Sequence, residues 1–295
     1  MTRRPANPQG SNPKDPAGLP ALRDVIARHD LKAKKNLGQN FILDLNLTCR
    51  IARAAGPLAG RTIVEVGPGP GGLTRALLME GASHVVVLER DARALPLLGD
   101  IAAAYPGRLS IHEGDALSAD WPGLLAGRPG KRSICANLPY GIATRLLIGW
   151  LETGPWPPWY DKMVLMFQKE VAERIVAAPR SKAYGRLSVI SQWRTVPQIL
   201  LTLPPQAFTP PPKVSSAVVE FIPRLCPTPA CSVAALGKVT AAAFGQRRKM
   251  LRSSLKQLTA MPELLLAKAS IDPEARAETL QPAQFATLAL ALDED

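Results

Sequence analysis

The segment CANLPYGIATRLL, residues 135–147, places an amide, a proline and a phenol side by side after an apolar run. The side-chain oxygen of Asn137 and the backbone carbonyl of Leu138 are two neighbouring acceptors. Pro139 has a fixed φ and no N–H, which helps to hold that carbonyl outward. Tyr140 adds an aromatic face on which a planar base can stack. Since Asn and Pro are also common where strands end, a plain turn is the structural alternative.

Two acceptors beside a stacking plane fit the exocyclic amine of an adenine. The lone pair of adenine N6 is delocalised into the ring, so the amine is a poor nucleophile. Hydrogen bonds from its two N–H groups to fixed acceptors would localise that lone pair for in-line attack on a sulfonium methyl group. No general base is needed before such a transfer, so the segment favours methyl transfer to an adenine.

A glycine-rich segment, EVGPGPGG at residues 65–72, lies at a predicted junction of strand and helix. Gly67, Gly69, Gly71 and Gly72 allow the backbone to turn tightly and to approach a ligand without a Cβ in the way. The pattern is typical of dinucleotide-binding loops and of the looser loop that binds S-adenosylmethionine. A tight turn without a ligand is the alternative.

Two acidic residues end the next two predicted strands. Glu89, twenty positions after Gly69, is placed to accept hydrogen bonds from the two hydroxyls of a ribose, although it could also be a solvated strand end. Asp115 could accept a bond from an adenine amine of a cofactor, or could cap a helix. The glycines and acids permit a nicotinamide or an S-adenosylmethionine cofactor, and the Asn137 segment favours the second.

The elements that must position these residues alternate between short β-branched runs and helical patterns. Strands are predicted at RTIVEVG, HVVVLE, RLSIHEGD, RSICANLPY and KMVLMFQ, and helices at GGLTRALLMEG, DARALPLLGDIAAA, IATRLLIGWL and KEVAERIVAA. The later runs TVPQILLTL and KVSSAVVEFIP predict an antiparallel pair at one edge. This order indicates an α/β fold with a largely parallel sheet and a ligand crevice at the carboxyl ends of its strands.

The composition divides the 295 residues into three parts. Residues 1–17, rich in Pro, Asn and Gly, are expected to form a disordered tail, and residues 18–225 the α/β domain, to which the Asn137 segment assigns methyl transfer. From Pro223 onward, prolines are followed by almost continuous helical patterning. Residues 226–295 are therefore expected to form a small helical, RNA-binding domain.

An excess of 36 Lys and Arg over 24 Asp and Glu gives a net charge of +12, which suggests a polyanionic partner. Basic residues gather in LKAKK, PRSKAYGR and FGQRRKMLRSSLK. In the last, Arg248, Arg252 and Lys256 would share one face of a helix, which Arg247 and Lys249 would widen. Contact with nucleic-acid phosphates is the functional interpretation, and a solvated face is the alternative.

Cysteine usage and hydropathy exclude other classes. Cys49, Cys135, Cys226 and Cys231 have no paired metal-ligand spacing, so no metal site is expected and reduced thiols of a cytoplasmic protein are the simpler account. No apolar run reaches the roughly 18 residues of a membrane span.

Motifs along most of the chain, from about Leu31 to Leu255, resemble the small-subunit ribosomal RNA adenine dimethyltransferase family, of the KsgA type. The motifs that carry the resemblance are KKNLGQNFILD, VEVGPGPGGLT, VLERD, EGDAL, NLPY, FQKEVAERI, SKAYGRLSV and FTPPPKVSSAVV. The resemblance implies a Rossmann-like class I methyltransferase with a seven-stranded sheet and a small helical C-terminal domain. It implies transfer of methyl groups from S-adenosyl-L-methionine to N6 of two adjacent adenosines near the 3′ end of small-subunit (16S) RNA, giving N6,N6-dimethyladenosine. A role in ribosome biogenesis follows, with a pre-30S-type particle as partner of a monomer.

The resemblance also implies site residues. Carried over by position, the cofactor would contact Asn40, Ile42, Gly67, Gly69, Glu89, Asp115 and Asn137. Ile42 stands where the family has leucine, a change that a backbone contact would survive. Phe208 would sandwich the target base opposite Tyr140, although a core phenylalanine before a proline turn is the alternative. Catalysis would thus depend on residues 137–140 and Phe208.

The N-terminal motif would form a flexible lid, residues 31–44, over the cofactor. It is basic, and Lys34 and Lys35 would meet RNA phosphates.

Three rival functions are weighed against this one. A related adenine N6-transferase acting on large-subunit RNA would also carry NLPY, but FTPPPKV and SKAYGRLSV favour the small-subunit type. A non-catalytic RNA-binding assembly or transcription factor on the same fold would not need Glu89, Asp115 and Asn137 intact. A nicotinamide oxidoreductase would have no use for NLPY or the basic C-terminal segment.

Overall fold

The computed structural model describes residues 15–34, 38–128 and 130–294. Its strands form a seven-stranded sheet in the order β3-β2-β1-β4-β5-β7-β6. They are β1 (Arg61–Val66), β2 (His84–Glu89), β3 (Leu109–Glu113), β4 (Lys131–Ala136), β5 (Lys162–Gln168), β6 (Thr195–Leu203) and β7 (Ser216–Pro223). The predicted α/β class with a seven-stranded, mostly parallel sheet is confirmed.

Helices alternate with the first five strands and then dominate the C-terminal part. Up to β5 they are α1 (Leu22–Arg28), α2 (Leu45–Ala54), α3 (Gly72–Met79), α4 (Leu95–Ala104), α5 (Trp121–Leu124) and α6 (Tyr140–Glu152). Between β5 and β6 lie α7 (Lys169–Val176) and α8 (Arg186–Arg194). After β7 come α9 (Val233–Gly245), α10 (Leu251–Ser254), α11 (Pro262–Lys268) and α12 (Pro282–Asp293).

The first four strands of the chain pair in parallel. β1 pairs in parallel with β2 and with β4, and β2 pairs in parallel with β3. Every residue of β2 is buried, as expected for a strand covered on both faces. Because parallel strands all end at the same edge, the residues that follow β1 to β4 are brought together there.

The last two strands confirm the predicted antiparallel pair. β7 pairs antiparallel with β5 on one side and with β6 on the other. The β6–β7 register shifts between Ile199 and Leu201. In the sheet order β6 lies at one edge, and β3 lies at the other.

The chain divides into two compact units. The first comprises the residues up to Pro139 together with Pro205–Lys213, and it contains β1 to β4. A small apolar cluster in this unit joins the N-terminal segment to α4 and the turn before it, through Val25, Leu31, Phe41, Ala94 and Leu97.

The second unit comprises Tyr140–Pro204 and the residues from Val214 onward. Its core joins α8 to the C-terminal helices, with Val189, Leu236 and Phe285 all buried in one cluster. The ring of Phe244 stacks on Phe285 with centroids 5.4 Å apart. The helices after residue 226 therefore share a core with α8, and a domain boundary at 225–226 stays a prediction.

The N-terminal segment differs from the expected disordered tail. Residues 1–14 lie outside the described residues, but Asp15 is buried. Its carboxylate accepts hydrogen bonds from Arg75 Nε at 3.0 Å and from the Tyr105 hydroxyl at 2.7 Å. The Arg75 side chain is itself only 2% exposed. Because a buried carboxylate needs partners of this kind, residues 15–17 belong to the fold, and the expected tail does not extend to residue 17.

Candidate active site

The predicted site residues of the first unit lie at one edge of the sheet. Gly67 directly follows β1, Glu89 ends β2, Asp115 lies just beyond β3, and Asn137 follows β4. The parallel pairing of these four strands places their carboxyl ends side by side. The structure thus brings together the glycine loop, both acidic residues and the amide, as the sequence predicted.

The glycine loop needs glycine for steric and conformational reasons. Gly69 has a φ of +53°, and a Cβ there would lie 2.8 Å from Cε1 of Phe41. Gly71, with a φ of +82°, precedes α3, and a Cβ there would lie 2.3 Å from Cδ1 of Ile101. Any other residue at either position would be strained and would clash. The loop is consequently packed tightly between α4 and the segment that contains Phe41.

Glu89 is buried and is held by backbone donors. Its Oε2 accepts from Gly69 N–H at 2.9 Å and its Oε1 accepts from Asp91 N–H at 2.7 Å. Burial raises the pKa of Glu89, and these N–H groups offset part of that rise. The backbone N–H of Arg90 also acts on this carboxylate. Since a carboxylate has about four acceptor positions, Glu89 keeps acceptor capacity for a diol while it holds the glycine loop.

Asp115 is partly exposed, and its two oxygens differ. Oδ1 accepts from Leu117 N–H at 3.0 Å, which is the local turn contact weighed as the alternative. Oδ2 lies 3.4 Å from Arg90 Nη1, with the Asp115 side chain 37% exposed. The local contact occupies Oδ1 alone, and the neighbour of Oδ2 is the exposed side chain of Arg90. An amine could still be bound there.

Asn137 has one orientation, set by a backbone carbonyl. Its Nδ2 donates to the carbonyl of Asn40 at 3.2 Å. Leu138 is 1% exposed, and the ring of Pro139 lies 3.4 Å from where a Cβ on Gly67 would stand. The residues after β4 are thus packed against the glycine loop, and Oδ1 of Asn137 remains available as an acceptor.

Tyr140 is the first residue of α6 and belongs to the second unit. Its hydroxyl is 2.5 Å from the hydroxyl of Ser216, at the start of β7. Burial raises the pKa of the Tyr140 phenol. The hydroxyl is therefore anchored within the protein, which fixes the position of the outer end of the ring.

The expected lid segment is tethered to the chain near Phe208. Phe41 and Thr209 exchange two backbone hydrogen bonds, of 2.9 and 2.8 Å. The side chain of Ile42 is buried, and its carbonyl oxygen lies 2.7 Å from where a Cβ on Gly72 would stand. Phe208 is 3% exposed, so it occupies the core position weighed as its alternative, and its stacking role stays a prediction. In the lid, Lys34 is exposed, whereas Lys35 lies outside the described residues.

Sequence reasoning missed a buried carboxyl beside the glycine loop. Glu65 is the fifth residue of β1 and is 2% exposed. Its Oε2 accepts from the Thr74 hydroxyl at 2.6 Å. Burial raises the pKa of Glu65 to about 8, and the neighbouring charge of Glu89 adds to the rise. The sequence did contain a signal for this contact, because Glu65 is an acidic residue inside an apolar strand and Thr74 follows nine positions later.

The predicted continuous helical face of Arg248, Arg252 and Lys256 is wrong. α9 ends at Gly245, a residue type that weakly supports helices, and α10 begins only at Leu251. Between them, Met250 forms an antiparallel bridge with Arg276. The chain therefore turns here, so Arg248 is not on the helix that carries Arg252.

The turn after α9 nevertheless contacts another basic segment, residues 179–186. Arg247 Nε donates to Glu278 Oε2 at 3.0 Å, and its Nη2 donates to the carbonyl of Ser181 at 3.2 Å. The backbone N–H of Arg180 donates to the carbonyl of Glu278. Arg247 thus holds residues 179–186 beside the turn. Exposed cations near this turn are Arg248, Lys249, Arg252 and Lys256.

The described residues show no arrangement suited to a metal ion or to a membrane span. Within the described part of the chain, no group of three or more His, Cys, Asp or Glu side chains is placed to hold a metal ion. No helix in the described ranges has the length and hydropathy needed to cross a bilayer.

Comparison with known proteins gives consistent matches. The family model for ribosomal RNA adenine dimethylase matches residues 30–294. A protein named ribosomal RNA small subunit methyltransferase A from Rhodopseudomonas palustris is 62% identical over 271 residues, covering 92% of this chain and 93% of the relative. Proteins of the same name from Methylobacterium radiotolerans and Azorhizobium caulinodans are 61% and 59% identical. Each covers 92% of this chain, and the aligned parts are 92% and 93% of those relatives.

Two solved structures share the fold. A dimethyladenosine transferase from Plasmodium falciparum aligns with a TM-score of 0.69 and 23% identity, covering 83% of this chain and 95% of that one. The 23S ribosomal RNA methyltransferase ErmE aligns with a TM-score of 0.63 and 26% identity, covering 86% of this chain and all of that one. The edge of the sheet that carries Asn137 therefore belongs to a fold used by RNA methyltransferases.

Proposed function

The chain belongs to the ribosomal RNA adenine dimethylase family, and we propose that it transfers methyl groups from S-adenosyl-L-methionine to N6 of two adjacent adenosines near the 3′ end of small-subunit ribosomal RNA. The product would be N6,N6-dimethyladenosine. The observation that carries the proposal is the amide of Asn137, whose nitrogen donates to the Asn40 carbonyl, so that its oxygen is the atom that can accept from an amine. The name of the relatives at 59–62% identity supports the small-subunit substrate.

The residues at the sheet edge fit the proposed cofactor. Glu89 would accept from the hydroxyls of a ribose diol, and Gly69 lets the backbone approach the ligand without a Cβ. Oδ2 of Asp115 can accept from an adenine amine. The remaining predicted contacts come from Asn40, Ile42, Gly67 and Asn137. When bound, the cofactor supplies an electrophilic sulfonium methyl group.

The chain's own part in the reaction is to bind and orient the target amine. Oδ1 of Asn137 and the carbonyl of Leu138 accept the two N–H groups of adenine N6, which directs the nitrogen lone pair toward the methyl group. The acceptors are fixed before the substrate arrives, so little reorganisation is required as positive charge develops on nitrogen. That charge increases the acidity of the N–H groups, and the proton can leave to solvent after transfer.

Aromatic faces would hold the target base. Tyr140 has its hydroxyl anchored on Ser216, which leaves the ring face as the part that can stack. Phe208 is the second predicted aromatic contact, and its present burial means that the base would have to displace neighbouring side chains. Base–aromatic stacking contributes about 1–3 kcal/mol per base.

RNA phosphates would be bound by exposed cations. The exposed ones are Lys34 in the lid and Arg248, Arg252 and Lys256 near the turn after α9. Lys35, which lies outside the described residues, is predicted to join them. Arg247, predicted as an RNA contact, is committed to Glu278 and Ser181, so we assign it a part in shaping this surface. The partner we propose is a pre-30S-type particle, bound by a cytoplasmic monomer without a metal. The buried, unpaired thiols of Cys49 and Cys135 suit a reducing compartment.

The rival substrate is large-subunit RNA, because ErmE shares the fold at 26% identity. Purified small and large subunits, each lacking adenine methylation, are incubated with the enzyme and labelled S-adenosyl-L-methionine. Nucleoside mass spectrometry should show N6,N6-dimethyladenosine in the small-subunit RNA only. Methylation confined to the large subunit would contradict the proposed substrate, and cofactor binding without methylation of either would favour a non-catalytic assembly factor.

A further inference from the structure

The orientation of the Asn137 amide decides whether it can accept a hydrogen bond from an amine. A backbone carbonyl can only accept, so the atom of Asn137 that lies 3.2 Å from the Asn40 carbonyl must be the amide nitrogen. The opposite orientation would present an NH₂ group to the substrate amine, which is itself a donor. The backbone of Asn40 therefore selects the productive orientation of Asn137.

The position of the Asn40 carbonyl depends on its neighbours on both sides. On one side, Gln39 Nε2 donates to Asp91 Oδ2 at 3.0 Å, and Gln39 Oε1 accepts from Lys34 N–H at 2.9 Å. On the other side, Phe41 is paired with the backbone of Thr209. The side chain of Gln39 thereby reaches from the lid to the loop after β2.

Asp91 accepts the hydrogen bond from Gln39, and it is held in place by Glu89, the residue proposed to bind the ribose. Its N–H donates to Oε1 of Glu89 at 2.7 Å, and its side chain is 5% exposed. Arg93 Nη2 donates to Asp91 Oδ2 at 2.6 Å. The hydrogen bond from Arg93 lowers the pKa of Asp91 to about 2, so Asp91 stays a charged acceptor at neutral pH.

These contacts form a continuous series from the cofactor-binding carboxylate to the catalytic amide. It runs from Glu89 through Asp91 and Gln39 to the backbone of Asn40 and then to Asn137. We propose that Gln39 is a positioning residue for methyl transfer, which acts by holding the Asn40 carbonyl where it orients the Asn137 amide. This inference rests on the proposed function.

Two different roles for Gln39 give different results when its variants are combined with a variant of Asn137. If Gln39 acts through Asn137, its loss has no further effect on the transfer step once the Asn137 amide is absent. If Gln39 only keeps the lid folded over the cofactor, its loss has the same fractional effect in both backgrounds.

The test is a double-mutant cycle with Gln39→Leu and Asn137→Ala. The methyl-transfer rate is measured in single turnover on unmethylated small subunits, with saturating cofactor. Gln39→Leu removes both hydrogen bonds of this side chain and should lower the rate roughly three- to tenfold in the wild-type background. In the Asn137→Ala background the same change should alter the rate less than about twofold.

Two further variants serve as controls. Gln39→Met keeps the length of the side chain without its hydrogen bonds and should reproduce Gln39→Leu. Gln198→Leu makes the same chemical change on the exposed side of β6, and it should leave the rate unchanged.

The outcomes separate the inference from the function on which it rests. An equal loss from Gln39→Leu in both backgrounds, or no loss in the wild-type background, would overturn the positioning role alone. A near-normal rate for Asn137→Ala by itself would instead overturn the proposed part of Asn137 in methyl transfer.

Discussion

The Thr74 hydroxyl donates a hydrogen bond of 2.6 Å to the buried carboxyl of Glu65. This contact joins the end of β1 to the first turn of α3, across the glycine loop. The pKa of Glu65 is raised to about 8, mainly by burial, so the carboxyl is largely protonated in the folded protein at neutral pH. Glu65 in the unfolded chain ionises near its ordinary value.

Glu65 should therefore make folding stability depend on pH. Below about pH 4.5 the carboxyl is protonated in both states, and its favourable contribution is fully present. Between about 4.5 and 8 the unfolded state loses the proton first, so the free energy of unfolding falls as pH rises, by on the order of 1.4 kcal/mol per unit.

The variant Glu65→Gln removes this dependence. It should have a higher free energy of unfolding than wild type at pH 8, and the gain should shrink toward pH 5. Urea unfolding at several pH values measures the difference. A gain that does not change with pH would contradict the protonated Glu65.

Asp15 supports the fold through a buried ion pair. Its carboxylate binds both Arg75 and Tyr105. Asp15→Ala should lower the free energy of unfolding by roughly 3 kcal/mol, because Arg75 would be left as a buried charge without this partner. Asp24→Ala, an exposed change in α1, is the matched control and should have little effect. Equal unfolding midpoints for the two variants would show that the pair contributes nothing.

Local patterns in the sequence account for the sheet but not for contacts between distant residues. The apolar runs of β1, β2 and β4 are largely buried, so the types and order of these strands could be predicted, and with them the edge that gathers Glu89 and Asn137. The pair of Asp15 and Arg75 joins residues sixty positions apart and has no local signal. The predicted basic helix failed because Gly245 ends α9 and a bridge from Met250 to Arg276 turns the chain. The spacing of basic residues along the sequence indicates neither the end of α9 nor the bridge.

The cations near the turn after α9 should contact RNA phosphates. Replacing Arg248, Arg252 and Lys256 by Gln should reduce the slope of log affinity against log salt by roughly two to three units and leave cofactor binding unchanged. Arg247→Gln is the matched control. Because Arg247 is bound to Glu278, its loss should change the slope by less than about one unit. An unchanged slope in the triple variant would mean that these side chains only meet water.

Phe208 should matter most for the second methylation. After one transfer, N6 keeps a single N–H, so one acceptor loses its partner and stacking has to hold the base. Phe208→Leu keeps an apolar side chain without an aromatic face and should lower the ratio of dimethyl- to monomethyladenosine by roughly five- to a hundredfold. Phe208→Tyr keeps the face and should behave like wild type. Proportional loss of both products in the Leu variant would contradict a stacking role.

The most direct test is the rate of methyl transfer by Asn137→Ala. Its amide oxygen is proposed to align adenine N6, so the barrier should rise by about 2–4 kcal/mol, a loss of roughly thirty- to a thousandfold. Affinity for the small subunit should change much less, since phosphate contacts supply most of it. The measurement is the appearance of N6,N6-dimethyladenosine in unmethylated small subunits, in single turnover with saturating S-adenosyl-L-methionine. We expect rapid dimethylation by wild type and very slow product formation by the variant. Near-normal turnover by Asn137→Ala, or no dimethyladenosine with the wild-type enzyme, would contradict the account.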